Sequence, residues 1–249
     1  MTENQIALSG LLLLGGWFAA TVSGAAGFGG ALLLLPLLAH TVGAKEAIPI
    51  LTLAQLAGNL SRAALGWRTI RWRPALLFCA GAVPAAVLGA RLFLTLPSGL
   101  ILRTVGVFLL GVFLLGVVAL RHTPLGKRTV PEAWLLPGGA VVGFLSAVVG
   151  SAGTLGALLF LGLSLPATTY VATEAVTATA MHVTKTAIYG RYGIMTAETW
   201  ALGLALSASM ILGSWAGKKF IERPSKQKFA ALVEALLILA ALSLILTGQ

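Results

Sequence analysis

The chain has 249 residues, of which 58% are hydrophobic and 10% are charged, and its net charge at neutral pH is +10. Soluble domains carry about 25% charged residues, so this composition excludes a water-soluble protein and indicates one embedded in lipid. The basic residues lie in short clusters beside apolar segments, a pattern that is typical of cytoplasmic loops in membrane proteins and argues against binding to nucleic acid.

The first apolar stretch, residues 6–39, is too long for one ordinary span. As a continuous helix it would reach about 51 Å, whereas the hydrocarbon core of a bilayer is roughly 30 Å thick. Gly24, Gly27, Gly29 and Gly30 lie in its middle, where glycine weakens a helix and permits unusual backbone angles. We therefore predict two helical pieces joined at these glycines, either as two short spans or as a re-entrant pair.

The remaining apolar segments have the length of single spans, since about 20 helical residues cross the hydrocarbon core. Some are apolar throughout, and others carry polar residues among the apolar ones. The first kind comprises 74–94, 99–120, 200–217 and 229–246, and the second kind comprises 47–65 and 170–188. We expect an all-α, multi-pass protein of a bacterial inner membrane, with lipid as its main partner.

The sequence repeats itself with a shift of 123 residues. The matched pairs include Ser23 with Ser146, Gly27 with Gly150, Gly30 with Gly153, Asn59 with His182 and Arg62 with Lys185. Glycines and polar residues that coincide at one register are hard to obtain by chance. We predict two related halves, 1–125 and 126–249, each with about four apolar segments of which the first is broken or re-entrant at its glycines.

The basic residues predict how these halves are oriented, because Lys and Arg concentrate in cytoplasmic loops. Placing the clusters at 68–73, 121–128 and 218–228 in the cytoplasm puts eleven basic residues inside and four outside. Arg191 then lies outside, although its repeat mate Arg68 lies inside. The prediction is therefore of two inverted repeats.

The glycine segments are the first candidates for a binding site. Secondary transporters often bind their substrates near the midplane, where the broken helices of inverted repeats meet. Backbone N–H groups at such breaks supply partial positive charge to an anion. The candidate residues are Gly27, Gly29, Gly30, Gly150, Ser151, Gly153 and Thr154. The alternative is that these small residues only let helices approach closely.

Polar side chains in the segments 47–65 and 170–188 are the second set of candidates. At helical spacing one face of each segment carries them: Gln55, Asn59 and Arg62 in the first half, and Glu174, His182 and Lys185, with Thr177 beside them, in the second. Ionisable groups inside a span usually face a cavity or a partner. We expect the two basic residues to neutralise an anion, and Glu174 and His182 to be candidates for proton coupling. The alternative for the basic residues is snorkelling towards water.

The glycine segment 23–30, followed by Leu35 and Pro36, resembles the sulfite exporter TauE/SafE family of membrane permeases. The degenerate copy at 146–153 and the helix ending at Asn59–Arg62, with a basic loop after it, fit the same family. The resemblance implies two homologous halves, about eight spans, and movement of small sulfur oxyanions or organosulfonates. The second half departs from the pattern at 150–154, which lacks the fuller glycine run, and this leaves the substrate open.

We therefore expect a secondary transporter of a small anion, sulfite or an organosulfonate, that works by alternating access. The sequence has no Walker loop, cysteine pair or His-x-x-x-His motif, so we expect no ATP, metal or other cofactor and no enzymatic activity. An anion channel and a carrier of another oxyanion or of a carboxylate stay open as alternatives. A membrane-embedded enzyme and a helical scaffold are the weaker alternatives, and the sequence does not fix the oligomeric state.

Overall fold

A computed structural model of the chain describes residues 3–26, 30–122 and 131–220, and these residues form helices and turns without any strand. The helices are α1 (Glu3–Ala26), α2 (Gly30–Val42), α3 (Ala44–Leu65), α4 (Trp72–Thr95), α5 (Ser98–His122), α6 (Leu135–Val148), α7 (Gly153–Leu161), α8 (Ala167–Arg191) and α9 (Ala197–Phe220). The predicted spans 47–65, 74–94, 99–120, 170–188 and 200–217 correspond to α3, α4, α5, α8 and α9. The predicted span 229–246 and the boundary at 125 lie outside the described residues.

Two helices are long and apolar enough to cross a bilayer, α4 and residues 197–217 of α9. Only 33% and 44% of their apolar windows are buried within the protein. The core helix of a soluble protein would be mostly buried, whereas the described residues leave more than half of each window uncovered, as expected of helices in lipid. Large apolar side chains also lie on the surface of other helices, among them Leu14, Val107 and Val141. The all-α fold is thus that of a membrane protein.

Both long apolar stretches that carry the glycine motifs are interrupted where the glycines predict. α6 ends at Val148 and α7 begins at Gly153, and between them Gly150 adopts φ +85°, in the left-handed region that side chains other than glycine rarely enter. α1 ends at Ala26 and α2 begins at Gly30. Residues 27–29, which include the candidate residues Gly27 and Gly29, lie outside the described residues.

Each interruption turns the chain back on itself. α2 folds back along α1, where Gly15 approaches Leu37 and Gly30 packs against Ala19. α7 likewise folds back along α6, where Gly138 contacts Leu159. With nine residues, α7 is about 14 Å long and cannot cross a hydrocarbon core of roughly 30 Å by itself. The second half is therefore broken at its glycines, as predicted.

Helices from different parts of the chain pack through glycines with their backbones in contact. α4 runs parallel to α6, and Cβ atoms added at Gly139 and Gly143 would meet the backbones of Phe78 and Ala82. α1 runs parallel to α9 in the same way, with Gly213 against the backbone of Trp17. In bilayers, close packing of small residues supplies much of the attraction between helices. The polar helices α3 and α8 lie between these two pairs, since α3 also packs on α9 and α8 on α4.

α3 and α8 lie side by side and run antiparallel. After the end of α3, the backbone N–H of Arg71 donates a hydrogen bond to Oγ1 of Thr173, near the start of α8, at 3.0 Å. At the opposite end, Ile48 near the start of α3 packs on Gly150, whose carbonyl accepts a hydrogen bond from Lys185 near the end of α8. The polar faces of the two helices consequently meet inside the protein.

Candidate functional site

Arg62 is buried between α1, α3 and α8. Its side chain is only 7% exposed, so it does not snorkel towards water. Nη1 donates a hydrogen bond to the carbonyl of Ser23 at 3.1 Å, and Nη2 donates to Oδ1 of Asn59. Ser23 lies in the last turn of α1, where unpaired carbonyls carry partial negative charge. The guanidinium therefore holds the end of the helix that precedes the first glycine break.

Glu174 of α8 approaches the same guanidinium from the other half of the sequence. Its Oε2 lies 3.8 Å from Nη2 of Arg62, and the residue is 4% exposed. At that distance the two groups form an ion pair rather than a hydrogen bond, and Oε2 accepts no hydrogen bond from the described residues. A Cβ atom placed on Gly153, the first residue of α7, would lie 3.8 Å from Oε1. The carboxylate thus lies between a guanidinium and the start of a helix.

Several buried hydrogen-bond donors on the helices that carry this ion pair, and at the start of α7, have no partner among the described residues. They are Nε2 of Gln55, Oγ1 of Thr154 and Oη of Tyr170. Gln55 lies two turns before Arg62 on α3, Tyr170 lies one turn before Glu174 on α8, and Thr154 follows Gly153. Buried polar groups in native proteins are nearly always hydrogen-bonded, so such a group of donors calls for a ligand or ordered water. A small oxyanion has the acceptors to satisfy them.

Lys185 occupies the equivalent place at the second glycine break. It is 0% exposed, and its Nζ lies 3.2 Å from the carbonyl of Ser146, 3.1 Å from Oγ of Ser146 and 3.1 Å from the carbonyl of Gly150. The sequence separation from Lys185 to Ser146 is the same as that from Arg62 to Ser23, namely 39 residues. Lys185 does not snorkel either. These three contacts match the three donors of an ammonium group.

The other candidate residues divide between these two clusters. Asn59 contacts Arg62, Gly153 lies near Glu174 with Thr154 next to it in the chain, and Gly150 binds Lys185. Gln55 lies two turns before Arg62 on α3. Oγ1 of Thr177 donates to the carbonyl of Glu174 in its own helix, and Ser151 is buried within the second break. His182 is buried, and its Nδ1 has no partner among the described residues. Gly30 serves close packing against α1.

The two clusters lie at different depths. Glu174 and Lys185 are eleven residues apart on α8, which corresponds to about 16 Å along the helix axis. They are therefore too far apart for direct contact, and the sequence-based prediction did not identify Arg62 as the partner of Glu174. It also missed Tyr170, which its position one turn before Glu174 on the same face identifies. Among the described residues no three His, Cys, Asp or Glu side chains are grouped as metal ligands.

Interrupted helices around a buried polar centre, enclosed by helices whose outer faces are apolar, define an integral membrane protein of the transporter class. The chain belongs to the sulfite exporter TauE/SafE family, whose model matches residues 12–244. This match confirms the resemblance found in the glycine motifs, and the family consists of membrane transporters rather than enzymes. Comparisons with curated proteins and with solved structures gave no significant match.

Proposed function

We propose that this protein is a secondary transporter that moves sulfite or an organosulfonate across the bacterial inner membrane by alternating access. One observation carries the proposal: a buried guanidinium, that of Arg62, lies beside buried donors that have no partner among the described residues. The family supplies the substrate class, since its name is that of a sulfite exporter.

The chemistry of the Arg62 cluster fits such a substrate. Sulfite and sulfonate groups each present three oxygens, of which a guanidinium can hold two through parallel hydrogen bonds. Gln55, Thr154 and Tyr170 can donate to the oxygens that remain. The start of α7 at Gly153 adds backbone N–H groups and the positive end of a helix dipole. In this proposal Gly27 and Gly29 serve the same site from the first half, and Gly30 packs against α1 beside them in the chain.

The second cluster, around Lys185, holds the break between α6 and α7 in place. Lys185 binds the carbonyls of Ser146 and Gly150 and so fixes the turn that leads to Ser151 and Gly153. We propose that it contributes its positive charge to the anion path while keeping this turn in shape. Asn59 orients Arg62 by accepting a hydrogen bond from its guanidinium, whereas Thr177 donates to the backbone carbonyl of Glu174. Glu174 and His182 are the proposed sites of protonation.

We also propose that residues 1–125 and 126–249 form inverted repeats. The matched helices α3 and α8 run antiparallel, as a two-fold axis in the membrane plane requires. The repeat also relates α1 to α6 and α9 to α4. The pair α1–α9 and the pair α6–α4 both pack through glycines. Arg62 near the end of α3 and Gly217 of α9 lie at the same level, because both adjoin the last turn of α1.

Labelling of single cysteines tests the inverted topology. In a background with Cys79→Ser, the repeat mates Arg68 and Arg191, both exposed, are replaced one at a time by cysteine. We expect a membrane-impermeant maleimide to label position 191 in intact cells and position 68 only after the membrane is permeabilised. Labelling of both positions from the same side would contradict inverted halves.

Transport by the purified protein in liposomes tests the function. We expect saturable uptake of sulfite or methanesulfonate, at least about tenfold above that of empty liposomes, and weaker uptake of sulfate and acetate. Arg91→Gln, a change at an exposed position on α4, serves as the control and is expected to leave uptake unchanged. Single-channel conductance in planar bilayers would identify a channel instead. Uptake of none of these anions would overturn the proposal.

A further inference from the structure

We propose that the carboxylate of Glu174 occupies the place of the transported anion, so that the anion and ionised Glu174 exclude each other at Arg62. This inference rests on the proposed function. Glu174 would then be a tethered competitor, and each monovalent anion that binds would require one proton on Glu174. The site would bind an anion together with a proton.

The surroundings of the carboxylate are those of an anion site. It lies 3.8 Å from Arg62 and faces Gly153 at the start of α7, with the donors of Thr154 and Tyr170 nearby. Yet Oε2 accepts no hydrogen bond from the described residues, although the residue is almost fully buried. Charge attraction therefore holds the carboxylate in place without the directional bonds that a permanent structural ion pair usually makes. An oxyanion that forms such bonds can displace it.

Lys185, at the position of the second half that corresponds to Arg62, shows that the fold can bury a cation there without a carboxylate. The repeat mate of Glu174 is Leu51, which is fully buried in the core. Lys185, the mate of Arg62, is compensated by the carbonyls of Ser146 and Gly150 and by a hydroxyl. Neutralising the cation is therefore not sufficient to explain Glu174. An exchangeable partner for Arg62 explains both its presence in one half only and its lack of hydrogen bonds on Oε2.

The need to balance the buried charges gives the number of protons bound with each anion. With the site empty, Arg62 and ionised Glu174 sum to zero. When a monovalent anion takes the guanidinium, an ionised Glu174 would be left buried beside a second negative charge, which is costly. Protonation of Glu174 restores a sum of zero.

The described residues place few other titratable groups near Glu174. On α8 itself they are Tyr170 and, farther along, His182, Lys185, Tyr189 and Arg191. The turn after α3, which packs on α8, carries Arg68, and this side chain is exposed. α7 carries none, and on α4 the one half-buried titratable side chain is Cys79, since Arg73 and Arg91 are exposed. Arg62 is the titratable group that α3 places against Glu174. Among the described residues, Glu174 is thus the carboxylate that can take the proton next to the anion.

The test uses methanesulfonate, whose charge does not change with pH, with hydrogensulfite in mildly acidic buffer as a second probe. In liposomes that contain the wild-type protein, we expect each anion to enter with one proton and the flux to follow a pH gradient but not a membrane potential. For Glu174→Gln we expect flux without proton movement. With this variant, the equilibrium accumulation of the anion should follow the membrane potential, roughly 50-fold at 100 mV for one charge. Glu198→Gln, which alters an exposed carboxylate on α9, should behave as wild type.

Isothermal calorimetry on the wild-type protein gives a second measurement that does not depend on the folding of a variant. In buffers of different ionisation enthalpy, we expect uptake of about one proton for each methanesulfonate or hydrogensulfite bound. Anion binding without proton uptake, or proton-coupled flux that persists in Glu174→Gln, would overturn the inference and leave the transport function intact. Absence of anion flux in the wild-type protein would instead overturn the proposed function and this inference with it.

Discussion

Replacement of Arg62 by glutamine is expected to weaken anion binding by roughly 10- to 150-fold, the equivalent of one to two charge-assisted hydrogen bonds. Glutamine can still donate to the carbonyl of Ser23, so the end of α1 keeps a partner, but the positive charge and the two-pronged donor are lost. Arg62→Lys should give an intermediate affinity, because it keeps the charge without the planar fork. Binding of sulfite or methanesulfonate to the purified protein measures both effects.

Loss of folding has to be separated from loss of binding in this experiment. Arg62→Gln leaves Glu174 buried without its cation, which is costly. The double variant Arg62→Gln/Glu174→Gln removes that cost and should regain thermal stability without regaining transport. Arg191→Gln, at an exposed position, is the control. Transport at the wild-type rate by Arg62→Gln would remove Arg62 from the anion site.

Lys185 is expected to respond differently from Arg62, because its donors hold the protein's own backbone. Lys185→Met would leave the carbonyls of Ser146 and Gly150 without this donor, at about 1–3 kcal/mol for each buried group left unsatisfied. We therefore expect both a lower melting temperature in detergent and a sharp loss of transport. Unchanged stability together with normal transport would contradict its proposed role.

Substitution of Gly143 by leucine is the change expected to have the largest effect on folding. A Cβ atom at this position would overlap the backbone of Ala82, and the same holds for Gly139 against Phe78, so α4 and α6 would have to move apart. Overpacking of a side chain typically costs about 1–3 kcal/mol, and a collision with backbone cannot be relieved by a change of rotamer. We expect a loss of more than about 10 °C in melting temperature, or failure to accumulate in the membrane.

A matched variant distinguishes this collision from a general effect of leucine. No atom of the described residues lies within 4 Å of a Cβ placed on Gly190, which is exposed near the end of α8. Gly190→Leu is therefore expected to change the melting temperature by no more than about 2 °C. Equal effects of Gly143→Leu and Gly190→Leu in a thermal-unfolding assay would contradict the packing assigned to α4 and α6.

The positions of the helices could be predicted from the sequence because hydropathy acts locally. The predicted spans 47–65 and 170–188 each begin three residues after the helices that contain them, α3 (Ala44–Leu65) and α8 (Ala167–Arg191). Polar residues in the first turns, such as Lys45 and Glu46, account for the late start in α3. The break in the second half was predicted because Gly150 needs a backbone conformation that other residues rarely adopt.

The candidate site was predictable as a set of residues but not as an arrangement. Helical spacing places Gln55, Asn59 and Arg62 on one face, and the repeat relates Arg62 to Lys185. Neither rule indicates that Arg62 binds the carbonyl of Ser23, since every residue has a carbonyl and only the fold decides which ones lack a partner.

The sequence by itself determined that this protein is embedded in lipid and that its long apolar stretches break at glycines. It also determined that two polar helices carry the charged residues within the spans. Each of these properties depends on residues close together in the chain or on a repeat that can be read directly. Only the tertiary structure decided that Arg62 faces Glu174 while Lys185 faces backbone carbonyls. That difference arises from the antiparallel packing of α3 and α8, which sets Arg62 opposite an acid and brings Lys185 to the end of a helix. Burial makes each partner energetically decisive, because in lipid a charged group without compensation is costly.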